Sequence, residues 1–110
     1  LLVEEGYSLR EFGIAAAVVH TPGHTPGSIS ILFDDGRAIA GDLMMGGSLG
    51  GAFHPDRPGY HYFAEDFTEL RRSIRKLLDR GAKTIYLGHG GPLEAGRVRE
   101  RFAPDFAAIK

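Results

Sequence analysis

Three side chains able to bind a metal ion lie spaced along the chain, each beside glycine: Gly23-His24, Gly41-Asp42 and Gly88-His89-Gly90-Gly91. His24 follows an apolar run ending near His20, Asp42 one ending near Ala40, and His89 one ending at Leu87. Loops at strand ends carry side chains to the rim of a sheet, and flanking glycines remove bulk around whatever is bound there. Two imidazoles and a carboxylate suit Zn²⁺, and also iron or manganese. Each residue alone has an ordinary explanation too. Histidine is common in glycine-rich turns, aspartate forms turns and helix caps, and a histidine can tolerate a left-handed backbone. Three of them in matching contexts leave a metal site and three ordinary turns as equal alternatives.

The elements that must position these residues follow from periodicity. Phe12 to His20 reads as a buried strand, and Ser28 to Phe33 as a second one with Ile29, Ile31 and Phe33 on one face. Asp34-Asp35-Gly36 predicts a tight hairpin turn and Arg37 to Ala40 the returning strand. Residues 43–62 contain seven glycines and prolines and no sustained period, which predicts a long loop. Glu65 to Arg80 is the clearest helix, with Phe67, Leu70, Ile74, Leu77 and Leu78 in one stripe. Acidic Glu65 and Asp66 open it and Gly81 follows its end. Lys83 to Leu87 reads as a further strand, and Pro92 to Ile109 as a weaker helical region interrupted at Pro104.

Composition narrows the partners. The 110 residues allow one domain or part of one, and 43% hydrophobic with 25% charged residues is ordinary for a globular chain. Thirteen basic against 14 acidic residues, a net charge of −1, offers nothing to nucleic acid or a membrane surface. The absence of cysteine excludes disulfides, thiolate ligands and cysteine nucleophiles, leaving His, Asp and Glu for any metal. It also fits a cytoplasmic location. No apolar run approaches the ~18 residues of a membrane span. The chain begins at Leu1 rather than Met, so further residues are expected upstream.

The run His20-Thr21-Pro22-Gly23-His24-Thr25-Pro26-Gly27-Ser28 closely resembles the third metal-binding motif of the metallo-β-lactamase superfamily. Gly41-Asp42 resembles the fourth motif and Leu87-Gly88-His89-Gly90 the fifth, and the likeness covers essentially the whole chain. Among the branches it is most similar to the hydroxyacylglutathione-hydrolase-like (glyoxalase II-like) group. The resemblance implies that His24 completes a three-histidine site for one metal, that Asp42 bridges two metals and that His89 binds the second. Two zinc ions are expected in the complete domain, with iron or manganese as alternatives. It implies a hydrolase of small molecules in which metal-bound water, not a side chain, attacks an ester, thioester or amide-like carbonyl.

Members of that group also need an upstream His-x-His-x-Asp-His run, which this chain lacks. The implied fold is α/β (α+β in character): half of an αββα sandwich, one mixed sheet with helices on its outer face. Residues 1–110 would be the C-terminal half, with the N-terminal half absent from this chain. The inner sheet face would then be an apolar patch, to be covered by that missing half or by a second copy. This chain alone is not expected to be a competent enzyme.

Other residues carry weaker signals. His20 opens the motif but is read as structural. His54, Tyr60 and His61 lie where related enzymes approach substrate, although aromatic packing of the segment onto the following helix explains them as well. The Gly46–Gly51 stretch lacks the ending of a phosphate-binding loop, and Arg71, Arg72, Arg75 and Lys76 read as a solvated helix face. Two other functions share the implied fold: an iron-dependent persulfide dioxygenase or diiron oxidoreductase, and a non-catalytic half-length protein that assembles through its exposed sheet.

Overall fold

The computed structural model describes residues 4–48, 53–60 and 64–109. Its elements run in the order β1 (Ala16–His20), β2 (Ile29–Phe33), β3 (Arg37–Ile39), β4 (Met45–Ser48), β5 (Phe53–Gly59), α1 (Phe67–Asp79), β6 (Thr84–Tyr86), β7 (Leu93–Glu94) and α2 (Ala95–Ala107). A five-stranded mixed sheet has the order β1-β2-β3-β6-β7, and β4 pairs with β5 in a separate two-stranded sheet. Among the described residues only the β3–β6 pair is parallel; α1 crosses over between its two strands.

Period-two alternation sorts the side chains of the sheet. Val19, Ala38, Ile85 and Leu93 point to one face and are buried beneath Leu70, Ile74 and Leu77 of α1 and Val98 and Phe102 of α2. Burying a leucine or isoleucine contributes about 1.5–3 kcal/mol, so packing rather than helix propensity holds both helices to the sheet. The opposite face carries a cross-strand row, with Val18 paired to Ile31, Ile31 to Ile39 and Ile39 to Tyr86. Much of that face is bare: Ile29, Ile39 and Tyr86 are 43%, 50% and 42% exposed. The architecture is therefore one mixed sheet with helices on a single side. Among the described residues no helix is long and apolar enough to cross a membrane.

The hairpin forms as its turn residues dictate, with the Gly36 amide donating to Phe33 O at 3.0 Å. Helix α1 is capped by Asp66, whose carboxylate accepts from the Glu69 amide at 3.0 Å. Four expectations need correction. The first strand starts at Ala16, not Phe12, because residues 10–12 form a 3₁₀ turn closed by Gly13 in the left-handed region. That turn folds the preceding segment back along β1, where Gly6 N donates to Val18 O and Leu9 N to Ala16 O, both at 2.9 Å.

Residues 43–62 are not a long loop, since β4 and β5 pair there, with Met45 opposite Gly59 and Gly46 opposite Pro58. An isolated ribbon has outward edges where Pro55 and Pro58 need not donate to a ladder. Gly46 is buried against other backbone, and a Cβ there would lie 1.8 Å from Pro55 O and 2.3 Å from Gly91 N. Helix α2 runs unbroken through Pro104, preceded by the short strand β7. Proline there forgoes one hydrogen bond of the helical ladder, and Phe102 and Phe106, with centroids 6.2 Å apart, continue the packing across it.

The basic face of α1 is not simply solvated. Lys76 pairs with Glu5 and donates to His20 O, Arg75 reaches Phe106 O at 3.4 Å, and Arg71 lies over the Tyr60 ring at 5.3 Å. These long stems cover apolar surface while their charges find partners.

Candidate metal centre

Strands β1 and β3 are both antiparallel to β2, and β3 is parallel to β6, so β1, β3 and β6 run the same way. The segments leaving their C-terminal ends carry His24, Asp42 and His89. The topology thus delivers all three to one rim of the sheet. Asp42 lies between the two imidazoles, with Oδ2 3.5 Å from His24 Nε2 and Oδ1 3.9 Å from His89 Nε2. His24 is the most enclosed of the three and His89 the most exposed.

The donor chemistry can be tested against a metal. A zinc ion bonded at about 2.0–2.2 Å to an imidazole nitrogen and a carboxylate oxygen, at a tetrahedral angle, separates the two by about 3.4 Å. The 3.5 Å between His24 and Asp42 matches that span, and the 3.9 Å to His89 needs a wider angle or a small rotation. Among the described residues no group of three or more His, Cys, Asp or Glu is placed to hold one metal by itself. The arrangement is two nitrogen–oxygen pairs sharing one carboxylate, which suits two ions that each take further ligands.

The His24 loop is held by its backbone. Pro22 O accepts from Ser73 Oγ at 2.7 Å, Gly23 O from the Asp66 amide at 3.0 Å, and His24 O from the Glu65 amide at 3.3 Å. His20 O, at the end of β1, accepts from Lys76 Nζ at 2.9 Å. Buried Thr21 shares a 2.8 Å hydrogen bond with buried Ser30 beneath the loop. Gly23, with φ +139°, passes so close to α1 that a Cβ would lie 2.4 Å from Leu70 Cα. Glycine is required there by space and by backbone conformation.

The other two loops are tied to each other and to the β4–β5 ribbon. The Gly88 amide donates to Gly41 O at 2.9 Å, coupling the residues before His89 and Asp42. The Gly46 amide donates to His89 O at 2.9 Å, and the Gly91 amide to Pro55 O at 2.7 Å.

The weaker candidates are placed differently. Tyr60 sits between the helices: its ring stacks on Phe102 at 4.5 Å, its hydroxyl donates to Asp105, and Arg71 Nε donates to that hydroxyl at 3.3 Å. Burial, reinforced by the Asp105 carboxylate, pushes the phenol up to about 12. His54 lies on β5 with φ +48° and is exposed. His61 lies outside the described residues. His20 occupies the end of β1, its amide donating to Glu5 Oε2 at 2.8 Å. Ser73 was not expected to matter; its signal was a hydroxyl inside the apolar stripe, between Leu70 and Ile74.

Known proteins share this chain's family and fold. The family profile described as the metallo-beta-lactamase superfamily matches residues 2–89. A hydroxyacylglutathione hydrolase of Rhodopseudomonas palustris (strain BisB5) is 44% identical over 111 residues, covering 100% of this chain and 40% of that protein. A beta-lactamase-like protein 2 homolog of Drosophila melanogaster is 33% identical over 82 residues, covering 74% of this chain and 24% of that protein. Among solved structures, a metallo-beta-lactamase family protein from Thermus thermophilus superposes with a TM-score of 0.66 at 30% identity, covering 97% of this chain and 35% of that one. TTHA1623, solved in a di-iron-bound form, superposes with a TM-score of 0.63 at 27% identity, covering 92% of this chain and 46% of that one. The chain therefore spans less than half the length of each of these relatives.

Proposed function

The chain belongs to the metallo-β-lactamase superfamily, and from that premise we propose that it supplies half the ligands of a two-metal hydrolase. The substrate class is a small molecule with an ester, thioester or amide-like carbonyl. The observation that carries the reading is the Asp42 carboxylate, with one oxygen toward His24 at 3.5 Å and the other toward His89 at 3.9 Å. In this reading His24 holds one metal, His89 the other, and Asp42 bridges them, with zinc as the expected ion and iron or manganese as alternatives. When bound, such ions lower the pKa of water toward ~7 and polarise a carbonyl.

The chain's own contribution is preorganisation. Asp42 brings the negative charge that lets two cations sit close together. The backbone bonds to Pro22, Gly23 and His24 fix one imidazole, and the bond from Gly46 to His89 O fixes the loop of the other. No side chain here is assigned as nucleophile. Of the weaker candidates, His54 and His61 are proposed to approach substrate, and Tyr60 is assigned to packing between the helices. The named substrate of the R. palustris relative, a hydroxyacylglutathione, favours a thioester.

The proposal includes an upstream half that brings the remaining ligands and covers Ile29, Ile39 and Tyr86. Its support is the bare apolar face and the 40% of the R. palustris relative that the chain spans. Cover by a second copy is the alternative. A second chemistry, iron-dependent oxidation, is favoured by the di-iron form of TTHA1623.

Metal analysis of the protein at its natural length, with thioester hydrolysis and oxygen uptake measured in parallel, tests the reading. Two ions per chain and hydrolysis without oxygen uptake are expected. Stoichiometric iron with oxygen consumption would overturn hydrolysis in favour of oxidation. Absence of bound metal would leave a non-catalytic assembly module.

A further inference from the structure

Helix α1 and its lead-in bind the carbonyls of His20, Pro22, Gly23 and His24 through Lys76, Ser73 and the amides of Asp66 and Glu65. Three of these four donors can be replaced or are robust to substitution. The two amides remain whatever side chains stand at 65 and 66, and Lys76 is an ammonium on a long, partly exposed stem that also serves Glu5. Ser73 is different. It is 3% exposed, its hydroxyl sits in the apolar stripe between Leu70 and Leu77, and its hydrogen bond to Pro22 O is 2.7 Å. A hydroxyl in that position is otherwise a penalty, because a buried polar group costs stability unless it is bonded.

The bond also falls on the peptide that leads into Gly23, whose amide donates to Thr25 O at 3.2 Å. Proline has no amide hydrogen to donate, so its carbonyl is the one backbone group through which Pro22 itself can be held, and Ser73 holds it. Two residues later stands His24. A change in direction of the Pro22 carbonyl turns the Gly23 peptide, and with φ +139° at Gly23 nothing in the local backbone preference restores it.

We propose that Ser73 is a positioning residue for the metal centre: through Pro22 O it sets the orientation of His24 toward Asp42. This rests on the reading of His24 as a ligand. Residues that orient a ligand from behind typically cost about 10–100-fold in metal affinity when removed. Loss of a merely structural bond would change stability without changing the metal's coordination.

The test uses the protein at its natural length, with cobalt(II) as the probe ion. Affinity is measured by competition with a chromophoric chelator, coordination from the visible absorption of the bound cobalt, and folding from the unfolding temperature of the metal-free protein. Ser73→Ala should fold, since alanine favours helix, and should bind cobalt about tenfold more weakly with an altered spectrum. Ser73→Thr, which keeps the hydroxyl, should restore the affinity and spectrum of the parent. Parent-like cobalt affinity and spectrum in Ser73→Ala, with binding lost in His24→Ala, would overturn the role of Ser73 alone. Parent-like binding in His24→Ala as well would overturn the metal reading beneath it. A Ser73→Ala protein weakened only in its unfolding temperature, with an unchanged spectrum, would show an ordinary core bond and also overturn the proposal.

Discussion

The amide of Gly46 donates to the carbonyl of His89 at 2.9 Å, across a backbone crossing too tight for any side chain. A residue in a glycine-rich ribbon thereby fixes the loop of a candidate ligand far along the chain. Gly46→Ala places a methyl group 1.8 Å from Pro55 O. Backbone atoms cannot yield as a flexible side chain would, so we expect a loss of about 3 kcal/mol or more, at the upper end of single substitutions. Denaturant titration reads this directly. A variant with an unchanged midpoint would show that the ribbon is not packed against Gly91.

Asp42→Asn keeps the shape of the side chain and removes the charge between the two imidazoles. The expected outcome is a loss of bound metal greater than the roughly 10–100-fold that follows from removing a ligand's supporting partner, together with loss of hydrolysis. Because a ligand that binds only the folded state stabilises it by about 2.7 kcal/mol at a hundred times its dissociation constant, metal should raise the unfolding temperature of the parent and not of this variant. Equal shifts in both proteins would remove Asp42 from the site.

Glu5 ties the segment before β1 to α1. Burial raises its pKa, but hydrogen bonds from Lys76 and the His20 amide, with the charges of Lys76 and Arg80, outweigh this and hold the carboxyl below its ordinary 4.5. A depressed pKa stabilises the fold fully above the unfolded value, and that stabilisation is lost as the pH falls through the folded value. Unfolding temperatures should therefore decline below about pH 4.5, and Glu5→Gln should show a shallower decline over that window. Identical acid slopes would mean that the pair contributes nothing measurable.

Ile39 distinguishes a covered sheet face from an open one. It is 50% exposed, and substitutions at open surface positions usually change stability by no more than about 0.5 kcal/mol. If an upstream half packs over this face as proposed, Ile39→Asp buries an unpaired carboxylate and should cost more than about 2 kcal/mol in the protein at its natural length. A change within the open-surface range would count against the covering half.

Much of the site was legible in the sequence because its information is local. The nine residues from His20 to Ser28 state the turn, the glycine gap and the candidate ligand together, and the Asp34-Asp35-Gly36 turn fixes the sense of β2 and β3. Helix α1 was equally plain from its stripe and its Asp66 cap. What stayed hidden depends on distant partners. Ser73 meets Pro22 from 51 positions away and Tyr60 meets Asp105 from 45. Strands β4 and β5 were hidden for a related reason. Their glycines and prolines argue against strand by local preference, whereas Gly46 is there because the His89 loop crosses it. Pro104 misled in the same way, since Phe102 and Phe106 hold the helix on both sides of it.

The common direction of β1, β3 and β6 has a consequence for how such a chain can vary. Every candidate ligand leaves the sheet at one rim, and the Asp34–Gly36 hairpin and the Arg80–Gly81 end of α1 lie at the other. Lengthening that far hairpin, inserting a peptide there or fusing a reporter at Asp35 would add mass without moving an imidazole. The fold separates a rim where a fraction of an ångström matters from one where whole residues can come and go, which leaves lineages and engineers a free end to edit.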